Sequence, residues 1–569
     1  MICSEMGKDM NQEDKESLEM SAEEKILAAN RLMEGQEWEK ALEVIYQGIQ
    51  ADQRNYELYF MLAQCKEMLG AMQQAALSYE NALFYASDED YGVIEDCYRA
   101  FLASLPEMPR KVSFVLVTYN QLEMTQLCVE SIRHNHPRGS YEIVAVDNLS
   151  TDGTREWLEE QEDIRALLND DNRGFPTACN QGAELAAEGN DIFLLNNDTI
   201  VMENSVYNLR MALYESDRIG AVGACSNEVG NRQKIDEKYD SIEEYARYAG
   251  RNNCYSPERH EKRLRLVGFA MMFRRPVWER VQGFDERFGI GNYEDDDISM
   301  KLLEQGLDLL FCRDSFIFHF GSASFRALNR ARSEEYQRIL QRNKQIFEEK
   351  WKIRWGYFSH VRRDLLGYIE EEGNSAFAVL EIGCASGATL LEIGNRYPNA
   401  ELHGIELDRD VANLASHYLD IVQGDIQEKR NPFGRRFDCI VLGDVLEHLR
   451  DPEDILMELR EWLNPGGYLV ISVPNIMHIS VLEPLLHGRF TYRDEGILDR
   501  THLKFFTRTE LVEMMGRCGY AIERMGGNTV ELSRKEEEYL RKLSEMDARI
   551  PEEELRIYQY RLKVEICNE

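Results

Sequence analysis

Apolar positions follow three successive patterns along the chain. Between residue 21 and about residue 105 they recur at helical spacing, without the alternation typical of strands. From residue 111 onward, short apolar runs alternate with helical segments, and a second series of this kind begins at residues 379–382. Strands alternating with helices are typical of α/β layers. The pattern therefore predicts a helical segment and then two α/β domains, the first with a mostly parallel sheet.

The helical segment carries an internal repeat. Ser21 followed by Glu24 forms a capping box that starts its first helix. Four small or apolar residues recur 35 positions further along the chain: Leu27, Ala28, Gly35 and Ala41 return as Leu62, Ala63, Gly70 and Ala76. A period near about 34 residues resembles the helix-turn-helix unit of tetratricopeptide repeats, here two repeats with a closing helix. An unrelated helical hairpin is the alternative.

Changes of pattern mark the predicted domain boundaries. The chain of 569 residues is too long for one hydrophobic core, because single cores stop growing near about 250–300 residues. A charged helix is predicted over about residues 328–351. The predicted organisation is a flexible acidic tail at 1–20, tetratricopeptide-like repeats at 21–108, a first α/β domain at 109–327, a helical linker at 328–374 and a second α/β domain at 375–569.

Composition and charge exclude several partners. The net charge of −36 opposes binding to nucleic acid or to anionic membrane surfaces, and no long basic run offsets it. No apolar stretch reaches the roughly 18–20 residues that cross a bilayer, and the N-terminus lacks a secretion signal pattern. The 12 cysteines include no CxxC pair, which favours reduced thiols. We therefore expect a cytoplasmic protein without a membrane span.

Polar residues follow the predicted strands of the first α/β domain, where ligands of open α/β sheets gather. They are Thr118, Asn120, Asp147, Asn148, Asn172, Gly174, Asn197 and Asp198. Further along, Glu294 and Asp295 lie in an acidic cluster at 293–297, and His319 follows another apolar run. Transfer of a sugar from a nucleoside diphosphate needs a divalent cation for the leaving diphosphate and a base for the acceptor hydroxyl. The segment offers carboxylates for both.

The order of these pieces resembles the family-2 glycosyltransferases of the GT-A fold, near the rhamnosyltransferase-like members. The resemblance implies that Asp147 contacts the nucleotide and that Asp198 ends a DxD-type motif, binding Mg²⁺ or Mn²⁺ with the diphosphate. It also implies that Asp295 is the base, with Glu294 or Asp297 as alternatives. His319 would be a further metal ligand or, alternatively, a structural histidine. Asn196 stands where the motif has its first carboxylate, which weakens the expected metal site.

The second α/β domain carries a glycine-rich turn after its first strand. Gly383 and Gly387 let the backbone approach a ligand closely, next to Glu381 on the strand, and Glu406 ends the second strand, where an acid can accept both ribose hydroxyls. Asp425 and Asp444 follow later strands. This set resembles the class I S-adenosylmethionine (SAM) methyltransferases, with a Rossmann-like fold, near the small-molecule O-methyltransferases with a Leu-Glu-His motif. A dinucleotide-binding domain is disfavoured because GxxxG replaces GxGxxG.

Two histidines are candidates for the acceptor side of methyl transfer. His448 ends a strand, and His502 lies in a polar segment. Either neutral imidazole could take the acceptor's proton, or it could be structural. We expect a multidomain, bifunctional transferase that adds a sugar to a glycan or glycoprotein and methylates a sugar or related acceptor, with a possible protein partner on the repeats. One alternative is a scaffold or binding protein in which only one of the two catalytic domains is active. The other is methylation of a protein amino group.

Overall fold

The computed structural model describes residues 21–321, 333–354, 356, 359–546 and 551–567. The chain divides into two compact units, Met1–Lys350 and Trp351–Glu569. The predicted acidic tail lies outside the described residues.

The described part of the first unit begins with five helices: α1 (Ala22–Glu34), α2 (Trp38–Ala51), α3 (Tyr56–Met68), α4 (Met72–Tyr85) and α5 (Tyr91–Ser104). The capping box of Ser21 and Glu24 is confirmed at the start of α1. The first residues of α1 and α3, Ala22 and Tyr56, stand 34 positions apart (56 − 22), as do those of α2 and α4 (72 − 38). This period agrees with the sequence repeat, and the tetratricopeptide assignment stays a prediction.

The helical segment packs directly on the α/β part of the same unit. Gln74 Nε2 donates to the carbonyl of Met211 at 2.8 Å, in a buried position. Arg54 forms two hydrogen bonds with the carboxylate of Glu203, both at 2.8 Å. Met211 also belongs to the apolar core that Leu58 and other repeat residues form. The helical segment therefore shares a hydrophobic core with the α/β part of the first unit.

The first sheet contains β1 (Val112–Thr118), β2 (Tyr141–Asp147), β3 (Ile164–Leu168), β4 (Asp191–Asn196), β5 (Thr199–Val201), β6 (Ile219–Cys225), β7 (His260–Arg263), β8 (Ala270–Phe273) and β9 (Asp308–His319). Its strand order is β3-β2-β1-β4-β8-β6-β9-β5, with β7 on β9. The first four strands are parallel, as are β6 and β9, but β8 runs antiparallel to both β4 and β6. Six of the nine strands run in one direction, in agreement with the expected mostly parallel sheet, while β5, β7 and β8 run in the opposite direction and make the sheet mixed.

Eight described helices surround this sheet: α6 (Leu122–Asn135), α7 (Thr154–Glu159), α8 (Phe175–Leu185), α9 (Ser205–Leu213), α10 (Ile242–Asn252), α11 (Arg275–Val281), α12 (Glu294–Glu304) and α13 (Ser333–Trp351). The last of them falls in the predicted linker. Asn343 donates to the carbonyls of Phe288 and Gly291 at 2.8 and 2.9 Å. Lys350 bonds to the carboxylate of Asp297 at 2.9 Å. The helix is thus anchored on the first unit, and residues 328–332 lie outside the described part.

The second unit is built on β10 (Ala378–Ile382), β11 (Glu401–Glu406), β12 (Asp420–Gln423), β13 (Phe437–Gly443), β14 (Leu463–Pro474), β15 (Tyr520–Thr529) and β16 (Ile557–Ile566). Its order is β12-β11-β10-β13-β14-β16-β15, parallel up to β14 and antiparallel at β16 and β15. The described helices are α14 (Arg363–Leu366), α15 (Ala388–Arg396), α16 (Arg409–Ala415), α17 (Pro452–Trp462), α18 (Ile479–Leu486), α19 (Arg508–Arg517), α20 (Arg534–Met546) and α21 (Glu552–Arg556).

The strand order of this second sheet reverses between β10 and β13, and ligands of open α/β sheets usually bind at the carboxyl ends of the strands at such a point. The terminal strand predicted over residues 557–566 is confirmed as β16. Among the described helices of the whole chain, none combines the length and apolar character needed to cross a membrane.

Candidate active sites

Asp147 closes the second strand of the first sheet and is fully buried, with 0% of its surface exposed. Its carboxylate accepts hydrogen bonds from the Thr118 hydroxyl at 2.8 Å, from Ser150 through both backbone and hydroxyl, and from Arg155 at 3.0 Å. These donors fix the ends of β1 and β2 against the turn that follows. A nucleotide contact by Asp147 would replace one of these bonds, so that assignment stays a prediction.

The amides predicted to meet the nucleotide hold loops in place. Asn148 donates to the carbonyl of Gly174 at 3.2 Å, and Asn172 accepts from the Gly174 backbone N–H at 2.9 Å. Asn120 accepts from the Thr151 backbone N–H at 2.8 Å. Asn197 donates to the Thr125 hydroxyl at 2.9 Å. The four asparagines thus order the loops at the carboxyl edge of the sheet.

Gly174 sits where two backbone segments meet. Its φ is +80°, a conformation that disfavours any side chain. An added Cβ would also lie 1.9 Å from the carbonyl oxygen of Gly289, so the space for it is already filled. We expect Gly174→Ala to lower the free energy of unfolding by about 2–4 kcal/mol through strain and overpacking. Gly139→Ala is the matched control, because its φ is +88° and nothing lies within 4 Å of the added carbon. Equal denaturation midpoints for the two variants would contradict this expectation.

Asp198 and His319 form a close pair, although 121 residues separate them in sequence. His319 Nε2 lies 3.1 Å from Asp198 Oδ1, and its Nδ1 donates to the carbonyl of Glu228 at 2.6 Å. The strands β5 and β9 bring them together, because Thr199 pairs with His319 in their ladder. Both side chains are buried, with Asp198 6% and His319 7% exposed.

The charge on this pair is set by its surroundings. Burial disfavours the imidazolium, but the hydrogen bond and charge of Asp198 outweigh it and raise the pKa of His319. Because the Nδ1 proton is bound to a backbone carbonyl, a neutral His319 presents the Nε2 lone pair toward Asp198. A carboxylate oxygen and an imidazole nitrogen this close can share one cation.

Asp295 lies at the start of α12, beside the segment that enters β8. Its carboxylate accepts from the backbone N–H groups of Gly268 at 3.2 Å and Asp296 at 2.9 Å. Burial, followed by the negative charge of Asp296, raises the pKa of Asp295. Phe269, the neighbour of Gly268, stacks on the His319 ring with centroids 5.3 Å apart. The segment 268–269 therefore links Asp295 to the Asp198–His319 pair.

The two alternative acids of this cluster have different surroundings. Glu294 is buried, one of its oxygens lacks a hydrogen-bond partner among the described residues, and burial raises its pKa well above the usual value. Asp297 is fully buried and bonded to Lys350. Asp295 is the only one of the three that is not fully buried. Only a solvent-reaching carboxylate can meet an acceptor, which favours Asp295 as the base.

Sequence reasoning missed the groups that arrange this cluster. Arg265 bonds to Asp296 at 2.6 Å, and Asn227 bonds through its amide to both backbone groups of His319. Asn227 comes two residues after the buried apolar strand β6, which is a signal that the sequence offered. Arg265 follows no apolar strand, and only its tertiary contact reveals it.

In the second unit the glycine turn joins β10 to α15. Gly383 has φ +71° and Gly387 has φ +76°, a region that favours glycine. A Cβ on Gly383 would lie 3.0 Å from Val445, and one on Gly387 would lie 2.3 Å from Leu419. The backbone of the turn is therefore fixed by its packing.

Glu406 connects this turn to the end of β11. Its two carboxylate oxygens accept from the backbone N–H groups of Ala385 at 2.8 Å and Asp408 at 2.7 Å. Burial raises the pKa of Glu406. Each oxygen keeps a further lone pair, so the carboxylate can still accept hydrogen bonds from a ligand.

The other predicted SAM-binding acids differ in their contacts. Burial raises the pKa of Glu381 to about 8. Asp425 accepts from the Gln427 backbone N–H at 2.9 Å and starts a short 3-10 helix. Asp444 bonds to Arg362 at 2.7 Å and accepts from the Ser472 hydroxyl at 2.9 Å. Asp444 is thus tied both to the segment before β10 and to β14, while Asp425 is partly buried.

The structure brings His448 and His502 together, with ring centroids 4.8 Å apart. Burial, followed by the charge of His502, lowers the pKa of His448. Beside them Glu447 is 1% exposed, and burial followed by the charge of Asp444 raises its pKa well above the usual value. Sequence reasoning did not select Glu447, although the Leu-Glu-His motif contains it.

Comparisons with known proteins agree with both units. Residues 113–281 match the family described as Glycosyl transferase family 2, and residues 328–524 match the family described as Methyltransferase domain. A malonyl-(acyl-carrier protein) O-methyltransferase of Halalkalibacterium halodurans is 30% identical over 146 residues, which cover 23% of this chain and 52% of that protein. The chain thus spans about half the length of this relative.

Solved structures of both kinds also resemble the chain. A mannosyltransferase of Pyrobaculum calidifontis, in complex with GDP-Man and Mn²⁺, shows 18% identity, covers 45% of this chain and 71% of its own, and has a TM-score of 0.29. A methyltransferase of Archaeoglobus fulgidus, described as SAM-dependent, shows 19% identity, covers 38% and 97%, and has a TM-score of 0.27. Residues 113–281 thus match a model of family 2 glycosyl transferases, and residues 328–524 of the same polypeptide match a model of a methyltransferase domain.

Proposed function

We propose that the protein transfers a sugar from a nucleoside diphosphate sugar to a glycan or glycoprotein and methylates a hydroxyl of a sugar or related acceptor with SAM. The observation that carries the first activity is the Asp198–His319 pair, whose side chains lie 3.1 Å apart, together with the partly buried Asp295. A site for diphosphate charge and a candidate base then share one edge of the sheet. We place both reactions in the cytoplasm.

The residues present fit a divalent cation. Asp198 supplies a carboxylate oxygen, and His319 supplies Nε2 because its Nδ1 is bound to a carbonyl. Asn196, in place of the first acid of the motif, contributes no charge. When bound, such an ion would stabilise negative charge on the leaving diphosphate. Two protein ligands leave positions for diphosphate oxygens and water.

Asp295 supplies the base in this proposal. Its two backbone hydrogen bonds hold the carboxylate at the edge of the cluster, and its raised pKa makes it a stronger base than an ordinary aspartate. An acceptor hydroxyl that approaches Asp295 would lose its proton as the sugar–oxygen bond forms. The donor in this proposal is a uridine or deoxythymidine diphosphate sugar. Its sugar would lie between Asp295 and the Asp198–His319 pair.

For methyl transfer, the glycine turn and Glu406 support SAM binding, and the His448–His502 pair marks the acceptor side. The curated relative is named an O-methyltransferase, which favours an oxygen acceptor over a protein amino group. The rings of Phe490 and Tyr492 are exposed by 39% and 44%, and their centroids lie 5.5 Å apart. Exposed aromatic rings offer flat surfaces for the apolar faces of a sugar.

The test of the first activity is turnover of a nucleoside diphosphate sugar in the presence of a chelator. We expect chelation to abolish donor hydrolysis or transfer, and His319→Ala to raise the Mn²⁺ concentration for half-maximal turnover at least about tenfold. The control is His134→Ala, an exposed histidine of the same unit. Full turnover in the chelator would remove the metal from the proposal, and no turnover of any donor would contradict the proposed sugar transfer.

A further inference from the structure

Three potential metal ligands converge where β13 leaves the second sheet. Glu447 and His448 lie in the short 3-10 helix Leu446–His448, and His502 comes from a loop further along the chain. One donor atom from each of the three lies within 4.8 Å of the other two. Ligand atoms at about 2.0–2.2 Å from a common ion stand roughly 3–3.5 Å apart, so small side-chain rotations would complete the site. We refer to these residues as the Glu-His-His cluster.

Glu447 is the member that most needs a partner. The residue is 1% exposed, and neither of its carboxylate oxygens has a hydrogen-bond partner within the described part of the chain. A buried ionised carboxylate without a partner is costly, and buried polar atoms in folded proteins are nearly always satisfied. A bound cation would satisfy both oxygens without any change of the backbone.

The two imidazoles are already oriented as metal ligands usually are. His502 Nδ1 donates to the carbonyl of Ile497 at 2.9 Å, and His448 Nδ1 lies 3.3 Å from the carbonyl of Thr501. Each Nδ1 proton is therefore directed at the backbone, which leaves the Nε2 lone pair for another partner. Histidines that bind metals generally donate their other ring N–H in this way.

The backbone fixes the cluster beside the proposed SAM turn. The N–H groups of Leu503 and Lys504 both donate to the carbonyl of Glu447, at 2.8 and 3.0 Å, and so hold His502 beside the 3-10 helix. Val445, two residues before Glu447, packs 3.0 Å from the position of a Cβ on Gly383. A ligand on the cluster would therefore be next to the glycine turn.

We propose that Glu447, His448 and His502 bind a divalent transition-metal ion that takes the hydroxyl oxygen of the methyl acceptor as a further ligand. Two histidines and one carboxylate are a known ligand set for such ions, with positions left open. The bound hydroxyl loses its proton to water more easily. Its oxygen then bonds to the methyl carbon as the carbon–sulfur bond of the sulfonium breaks, leaving a neutral thioether. The binding of the acceptor hydroxyl to this ion rests on the proposed methyl transfer. The binding of the ion itself does not depend on that proposal.

The experiment is a Co²⁺ titration of the full chain, followed by visible absorption, in an Asp198→Ala background that disables the sugar-transfer site. We expect one equivalent of Co²⁺ with the spectrum of histidine ligation. Glu447→Gln and His502→Ala should each raise the dissociation constant of this ion at least about tenfold. His417→Ala, an exposed histidine of the same unit, is the matched control and should bind as the background chain does.

Melting temperatures measured without metal check the folding of each variant. Glu447→Gln keeps the shape of a side chain that has no described partner, so without metal the variant should have the same melting temperature as the background chain. Added Co²⁺ should raise the melting temperature of the background chain but not that of the variant. Equal Co²⁺ affinity in the background chain, Glu447→Gln and His502→Ala would overturn the proposal, as would a background chain that binds no Co²⁺. A chain that binds Co²⁺ at the cluster but takes up no SAM in a separate titration would contradict the proposed methyl transfer and support the metal site.

Discussion

Asp295→Asn is expected to lower sugar transfer by about 10²- to 10⁴-fold, the usual worth of a positioned base. The amide keeps the shape of the side chain and can still accept from Gly268, but it cannot take a proton from the acceptor. Donor affinity should change little, because the Asp198–His319 pair is intact. The measurement is kcat for transfer together with the dissociation constant of the donor.

The control for this change is Asp236→Asn, an exposed aspartate of the same unit, which should transfer normally. The pH profile adds a second check. Asp295 must be deprotonated to act, and its pKa is raised, so wild-type activity should fall on acidification at a higher pH than an ordinary aspartate, with its pKa of about 3.9, would give. Normal transfer by Asp295→Asn, with loss in Glu294→Gln or Asp297→Asn, would assign the base to a neighbour.

Glu406→Ala is expected to weaken SAM binding by roughly 1.5–3 kcal/mol, or about tenfold to more than a hundredfold. The change removes an acceptor for the ribose hydroxyls, and charge-assisted hydrogen bonds are the stronger kind. It also removes the bond from Ala385 that ties down the glycine turn. The measurement is a calorimetric titration of SAM, with donor turnover followed on the same samples and expected to be unchanged.

Gly383→Val should weaken SAM binding at least as much, because its φ of +71° and the nearby Val445 both oppose a branched side chain. Gly434→Val is the matched control in the same unit, since its φ is +61° but nothing lies within 4 Å of the added carbon. A SAM affinity of Glu406→Ala within about 0.5 kcal/mol of wild type would make Glu406 an ordinary acid of an α/β fold.

Local patterns in the sequence were enough to predict the helices, the main strands and the residues at their ends. The capping box at Ser21 and the final strand β16 were confirmed as predicted. Asp147 and Glu406 each end a strand, as the apolar runs indicated. These features depend on periods of two to four residues and on turn chemistry, which a sequence displays directly.

The partners of those residues were decided by the tertiary structure. The mixed direction of the first sheet depends on how β8 and β9 pair with distant strands, which no local period encodes. The same pairing of β5 with β9 brings His319 to Asp198 across 121 residues. Likewise, the backbone bonds of Leu503 and Lys504 to Glu447 place His502 beside His448.

The sequence by itself determined two α/β transferase domains and the candidate acids and histidines at their strand ends, because strands, turns and glycine conformations follow from neighbouring residues. Only the tertiary structure decided that four protein donors bond to Asp147 and that α13 is anchored on the first unit. It also decided that Glu447 is buried beside two imidazoles without a hydrogen-bond partner among the described residues. Burial and partnership depend on chain segments far apart in sequence, and their pairing is set by the packing of the whole sheet.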